Sequence, residues 1–527
     1  MRLLLILGIF LSLSGLAEDL HKDGPRPLVE SQSNVGTLIP DLQFTKLEGG
    51  EGKLSDFSDK EALVLYLFIY DCPLSRKYAA VFNEIAKRNS QVGYLMVNAR
   101  HPVELEALQK ESKALGYTVP ITADLDETVI KSLGATSSTE IFILDKKRTL
   151  VYRGPIDDQY GLTYTLAKPE RHYFLNALDG LLGGRVILEN AMTSPGCLLG
   201  VEPAAEDLTQ VTFHNRISRL FQVRCETCHR PQGGAPFSLV TYADYKAHAP
   251  MIRLVIEKNL MPPWPALKNV GGPWHNDHSL SERDRSALLH WLDNGAPEGN
   301  AADGPLPIPW ASKWQMGEPD KSFELPTINV PASGVVPYKV VLVPNPFKED
   351  IFLSGIEIRS DHPELVHHVI VYTQPKKNRQ KKLREEMYPA LFAALPGENY
   401  RALRAGIARR LSKNDDMILG IHITPNGVAA KVTPELGLKF TSVPPIREAF
   451  NGVVADAKFR IPAYEANYKI MKGTTFSKKT RILAFGAHMH LRGKYFLAEL
   501  IYPDGTRTKA LEIPQWKFDW QYTYKLA

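Results

Sequence analysis

Between residues 35 and 184, apolar runs of strand length alternate with stretches of amphipathic helical period, the pattern of an α/β domain. Strands are predicted at 62–69, 92–98, 141–144 and 149–152, with helices between the first three and a turn at 146–148 before the fourth. Helical period returns at 213–223 and at 281–294, the second ending before Gly295. Beyond residue 320 the apolar positions fall in short runs at 338–342, 351–358, 365–373 and 417–423, bounded by turn residues, which predicts an all-β sandwich. A run of positive charge at 376–384 interrupts these strands and is followed by a predicted helical stretch to Leu411.

Length and composition fit several folded units. At roughly 150 residues per domain, 527 residues predict three to four domains. Hydrophobic residues at 44% supply their cores, and a net charge of +5 excludes the uniformly basic surface of a nucleic-acid binder. The chain opens on Met1-Arg2, an apolar run from Leu3 to Leu13, and small residues at Gly15 and Ala17. That is a secretory signal over 1–17, implying a periplasmic or secreted protein whose only membrane encounter is the signal itself. The Pro- and Gly-rich stretch within 301–318 reads as a linker.

Four cysteines are too few to staple a chain of this length, so each needs its own explanation. Cys225-Glu226-Thr227-Cys228-His229 has the Cys-x-x-Cys-His spacing of covalent haem attachment, with two thiols for the porphyrin and an imidazole for the iron. Zinc would require a second ligand pair, and none follows at the usual spacing. The surrounding unit, 208–300, resembles a small class I cytochrome c domain, and its one haem c would take Met261 of Met261-Pro262-Pro263-Trp264 as sixth ligand. Met251 competes for that place but lies in a helical stretch.

Cys72 follows the first strand, with Pro73 at a first helical position, so its thiol faces a helix N-terminus. With Tyr152-Arg153-Gly154-Pro155-Ile156-Asp157-Asp158-Gln159-Tyr160 and Ser194-Pro195-Gly196-Cys197, this segment resembles the thioredoxin-like redoxin domains, assigned here to 30–200. It departs from them at three places. Ser75 stands where a dithiol motif has its second cysteine, Ile69 where peroxiredoxins keep a peroxide-binding hydroxyl, and Thr139 where the fold has a cis-proline. Cys72 and Cys197 are candidate redox thiols. A reactive Cys72, a structural one and a Cys72–Cys197 disulfide all remain open at this point.

Histidine is scarce at 15, yet five cluster: His367-His368, His422, and His488-Met489-His490. On a strand His488 and His490 project from one face, whereas adjacent His367 and His368 need a bulge or strand end to share an ion. Leu365-Val366-His367-His368-Val369, His422-Ile423-Thr424-Pro425-Asn426-Gly427 and Ala487-His488-Met489-His490-Leu491-Arg492-Gly493-Lys494 together resemble the copper type II, ascorbate-dependent monooxygenases. Pro503-Asp504-Gly505 and Trp520-Gln521-Tyr522 fit the bacterial members. The resemblance covers roughly 320–527 and implies two β domains, 319–452 and 453–527, and two coppers. His367, His368 and His422 would form the electron-transfer site; His488 and His490 would hold the second copper, where oxygen binds and hydrogen is abstracted. The family adds a downstream methionine, for which no residue stands before Ala527, and Met489 would face away on a strand. An incomplete second site and a partial last domain, from a fragment of a longer protein, are therefore expected.

The sequence thus predicts a chain with α/β thioredoxin-like, all-α cytochrome c and all-β sandwich units, the last incomplete. The expected activity is O2-dependent hydroxylation of a small-molecule or peptide C–H bond, with the haem relaying electrons from ascorbate or another cytochrome. The alternatives are a non-catalytic electron carrier or copper-binding protein and, third, a thiol-disulfide oxidoreductase.

Overall fold

A computed structural model describes residues 24–526 apart from 29–32, 186, 188, 203, 309, 311–313, 380–389, 396, 404–405, 442–443 and 457. The predicted signal at 1–17 and most of the basic run at 376–384 lie outside the described residues.

The first unit is built on a five-stranded sheet in the order Ile121–Thr122, Val92–Asn98, Ala62–Phe68, Ile141–Asp145, Leu150–Gly154. Its first three strands are parallel; the last two run antiparallel to their neighbours. Every residue of Ala62–Phe68 is buried because both faces of the sheet are covered. Val64, Tyr66 and Phe68 point into one core with Tyr78 and Phe82 of the helix Pro73–Ala86, while Leu63, Leu65 and Leu67 point into the other with Leu133 and Leu144. Arg153 lies at the sheet's end, fully buried, and its guanidinium donates to Glu140 at 2.5 Å. That pair explains part of the 152–160 motif structurally.

A helical unit follows. A π-helical turn at Phe213–Ile217 leads into the helix Ser218–Arg224, and Tyr242–Glu257 and Glu282–Asp293 complete it. Thr241 and Ser281 accept the backbone N–H of Asp244 and Asp284, which fixes where the two longer helices start. Phe213, Phe221, Tyr245 and Trp291 share its core. The predicted linker is tied down at its start: Lys147 Nζ donates to the Ala302 carbonyl, and buried Arg219 donates to the carbonyls of His214, Asp303 and Lys147 and to Thr149 Oγ1. One guanidinium thereby joins the helical unit to the α/β unit.

The third unit packs two sheets around one core. Lys339–Val343, Asp415–Ile423, Val366–Pro375 and Ala390–Ala394 form one; Arg447–Glu448, Ile407–Leu411, Ile351–Ser360, Pro434–Phe440 and Lys321–Glu324 form the other, with Tyr400–Ala402 also on Ile351–Ser360. Val369, Leu419 and Ile421 of the first meet Ile356, Leu436 and Leu438 of the second. Among the described residues of the helical stretch expected up to Leu411 there are instead three strands, Ala390–Ala394, Tyr400–Ala402 and Ile407–Leu411. Their Ala, Leu and Arg residues tolerate a helix, but the open edges of the two sheets satisfy their backbone groups.

The last segment, for which an incomplete β domain is expected, carries only short strands among its described residues. Its described residues form two separate ladders, Ala484–Gly486 with Thr523–Lys525 and Phe496–Ile501 with Arg507–Ile513. Their core is shared with the helical unit, since Trp264, Ala266 and Trp274 pack with Leu511, Ile513, Trp516 and Tyr524. Hydrogen bonds cross the same seam: Leu267 N–H to the Glu512 carbonyl at 2.9 Å, His275 N–H to Lys525 at 2.8 Å, and Lys525 N–H to Asn276 Oδ1 at 2.9 Å. Among the described residues no helix is long and apolar enough to cross a membrane.

Candidate functional site

Cys72 is the N-cap of the helix Pro73–Ala86 and is buried; Cys197, 125 residues on, brings its sulfur within 3.6 Å. Ser138 holds the two together, its hydroxyl accepting the Cys197 N–H at 3.0 Å and lying 3.9 Å from the Cys72 sulfur. Ser75 braces the loop around Cys72, its hydroxyl accepting the Ile69 N–H and donating to the Ser138 carbonyl. Burial pushes the Cys72 thiol up, but hydrogen bonds from the Ser75 N–H and hydroxyl, from Cys197 and from the Leu74 N–H outweigh it and hold the thiol below its ordinary value. Cys197 moves the opposite way, raised by burial and by Cys72 itself. The result is a nucleophile beside a protonated, exposed partner thiol.

Cys225 and Cys228 leave the C-terminal end of the helix Ser218–Arg224 through a tight turn closed by Cys228 N–H and His229 N–H on the Cys225 carbonyl. Burial raises both thiols, Cys228 to about 11 and Cys225 further, so the pair stays protonated. His229 is lowered by burial, and its Nδ1 donates to the Phe237 carbonyl at 3.2 Å, which fixes the ring and leaves Nε2 its lone pair. Two thiols and an oriented imidazole within one turn are the donor set that a thioether-linked haem would use. Buried Trp264 Nε1 also has no hydrogen-bond partner among the described residues. Met261 is half-buried, at the end of the turn in which Leu260 N–H and Met261 N–H both reach the Val255 carbonyl. Met251 is exposed on the helix Tyr242–Glu257, so it is not packing material.

The structure brings His367, His368 and His422 together, with one ring nitrogen from each within 4.8 Å of the others. The register slips between Val366 and His368 where their strand pairs with Asp415–Ile423, and this bulge lets two adjacent histidines turn to one side. His368 then sits directly across from His422. His367 Nε2 and His422 Nδ1 are buried and without hydrogen-bond partners among the described residues, and His367 Nδ1 and His368 Nδ1 are 3.0 Å apart, where only one can carry a proton. Burial lowers all three imidazoles, His368 to about 3 with further help from His367, His422 and His488. Three neutral nitrogens with no carboxylate among them suit copper or zinc.

His488 and His490 lie just beyond the strand Ala484–Gly486 rather than in it, yet their rings remain adjacent, centroids 5.1 Å apart. Both are exposed, while Met489 packs inward against the core. His488 Nδ1 donates to buried Gln521 Oε1 at 2.5 Å, which fixes the ring's tautomer. The described residues form no group of three potential ligands that includes this pair.

Four further side chains belong to these sites. Ser138 and Tyr338 carry no motif. Tyr338 precedes Lys339, which pairs with Ile421, and so its ring lies over His422 at 4.5 Å while its hydroxyl meets His368 Nε2 at 3.0 Å. Phe518 stacks on His367, and Gln521 had a signal in the Trp520-Gln521-Tyr522 motif without a stated role.

Residues 35–153 match the family model described as AhpC/TSA family. No curated protein matches the chain. Among solved structures it is similar to a hypothetical protein from Sinorhizobium meliloti 1021, at 23% identity over 34% of this chain and 99% of that one, with a TM-score of 0.30. It is also similar to peroxidoxin BcpB from Mycobacterium tuberculosis, at 16% identity over 28% and 96% of the two chains, with a TM-score of 0.23. A third is a secreted disulfide oxidoreductase of Mycobacterium tuberculosis, at 15% identity over 27% and 95%, with a TM-score of 0.21. The segment from Val35 to Arg153 is a thioredoxin-like redoxin domain, whose general class of chemistry is oxidoreduction.

Proposed function

We propose that the protein is an exported oxidoreductase whose redoxin domain performs thiol-disulfide exchange at Cys72 and Cys197. The observation that carries this is the 3.6 Å separation of the two sulfurs at a helix N-terminus. The Cys72 thiolate attacks one sulfur of a substrate disulfide, forming a mixed disulfide and releasing the first substrate thiol. The Cys197 sulfur, giving up its proton, then attacks the Cys72 sulfur. The second substrate thiol leaves with that proton, and Cys72 and Cys197 end joined. Ile69 lacks the hydroxyl that helps peroxiredoxins hold peroxide, which favours a disulfide over a peroxide as oxidant. The test is intact mass and thiol counting after exposure of reduced protein to a small-molecule disulfide. A loss of two hydrogens with both cysteines protected is expected, and a Cys72 adduct that Cys197 never resolves would refute the pairing.

A second reading concerns the other half of the chain, and the convergence of His367, His368 and His422 favours it. We propose that these rings hold copper, that His488 and His490 hold another, and that Cys225, Cys228, His229 and Met261 hold a c-type haem. Copper and haem would supply one-electron transfer and, with oxygen, hydroxylation of a C–H bond. The chain's own part is to keep the imidazoles neutral by burial, to aim His488 through Gln521, and to orient His229 through the Phe237 carbonyl. Metal analysis with optical and electron-spin spectra tests it: about two copper and one haem per chain are expected, and copper spectra unchanged by His422→Ala would remove the three-imidazole site.

A further inference from the structure

One pentapeptide, residues 518–522, touches the three-imidazole cluster at one end and the Met261–Trp264 turn at the other. Phe518 lies over His367 with centroids 6.2 Å apart and planes within 16°, and it reaches His422 at 6.4 Å. Two residues on, Trp520 and Tyr522 are stacked at 6.4 Å with planes within 4°. Tyr522 is buried and contacts Trp264 at 5.9 Å and His278 at 6.4 Å. Trp264 in turn belongs to the turn that carries Met261. Gln521 braces the pentapeptide, donating to the Phe518 carbonyl at 3.0 Å while accepting from His488.

Phe518 and Trp520 are half-buried, and the ring of Phe518 lies parallel to that of His367 while the ring of Trp520 lies parallel to that of Tyr522. The segment also enters the strand Thr523–Lys525, which is hydrogen-bonded to Asn276 of the helical unit and whose Thr523 hydroxyl accepts from Arg401 of the sandwich. It is thus held from both sides, so its rings keep fixed positions between the two clusters.

We propose that Phe518–Tyr522 is an electron conduit from the Cys225–His229 motif to the His367, His368 and His422 cluster, with Tyr522 and Trp520 as its aromatic steps. The inference rests on the haem and copper reading given above. The transfer moves one electron and no atom or proton: an iron donor rises by one oxidation state and a copper acceptor falls by one. The conduit makes reducing equivalents reaching the helical unit available at the imidazoles without a diffusing reductant. Phe518 touches ligand imidazoles rather than a metal, and the three aromatic residues act by placing π systems where saturated side chains would leave a gap.

The test uses full-length protein carrying both metals. The haem is reduced by a light-triggered ruthenium donor, and its reoxidation is followed in the visible spectrum together with loss of the copper electron-spin signal. Trp520→Leu is expected to slow the internal step by about tenfold or more, a barrier rise of about 1.4 kcal/mol or more. Both midpoint potentials, the copper content and the haem spectrum should stay as in the parent protein, and Tyr522→Phe, which retains a ring, should keep the parent rate. An unchanged rate in Trp520→Leu with both metals loaded overturns the conduit and leaves the metal reading standing. Failure of the parent protein to bind copper at the three imidazoles, seen in the spin spectrum alone, overturns the metal reading and the conduit with it.

Discussion

Replacing Cys197 by serine separates a working thiol pair from two cysteines that merely lie close. A bond between Cys72 and Cys197 would close a loop across 125 positions. In the chain-entropy model such a loop removes about 5 kcal/mol of freedom from the unfolded chain. For a domain of this size each kcal/mol moves the midpoint of thermal unfolding by about 2–4 °C, so oxidation should raise it by about 10–20 °C. Cys197 is exposed, so Cys197→Ser should change the reduced protein by only about 0.5 kcal/mol or less. The assay is calorimetry of the full chain in diamide and in phosphine reductant, with hydrogen exchange of the strand Ala62–Phe68 marking the transition that belongs to this domain. The parent should show the oxidation-dependent shift and the variant should not. Equal midpoints for the oxidised and reduced parent, with both thiols still countable, would refute the reasoning.

Three other outcomes follow from buried charge and burial of imidazole. Glu140→Gln strips the buried Arg153 guanidinium of its carboxylate and should cost about 3–5 kcal/mol in urea unfolding, whereas Glu140→Leu combined with Arg153→Met should cost less. Arg219→Ala deletes the donors that reach Thr149, Lys147 and Asp303 across the joint, and limited proteolysis should then cut between the α/β and helical units faster than in the parent. The metal-free protein should lose stability as pH falls below about 6.5. There the unfolded imidazoles bind protons that His367, His368 and His422 refuse, and the loss continues toward the value of about 3 held by His368. Denaturation midpoints at pH 7 and 5 check the sign, and His368→Phe should flatten the slope.

Much of the first unit was legible because its strands are continuous apolar runs with no competing period. The expected strands at 62–69 and 92–98 appear as Ala62–Phe68 and Val92–Asn98, and Pro73 opens the helix behind Cys72. The stretch before Leu411 misled because its residues suit a helix locally, and only the unfilled sheet edges make it strand. The final unit, expected as a partial β domain, forms two β ladders whose packing partner the local pattern does not name. Its apolar residues pack against Trp264 and Trp274, hundreds of positions earlier, and no local period reports such a partner.

The amino-acid order by itself determined which chemistry is present: a thiol before a helix-opening proline, a Cys-x-x-Cys-His turn, and five histidines in three short segments. Residue type and short spacing are local properties, and they fix what a side chain can donate, bind or attack. Only the tertiary structure decided what meets what. Cys197 reaches Cys72 through Ser138, a one-residue bulge turns His367 and His368 to the same side, and Phe518 arrives over His367 from the far end of the chain. Those distances depend on how separate cores pack and on how strands choose their register, and both are settled by burial summed over the whole fold.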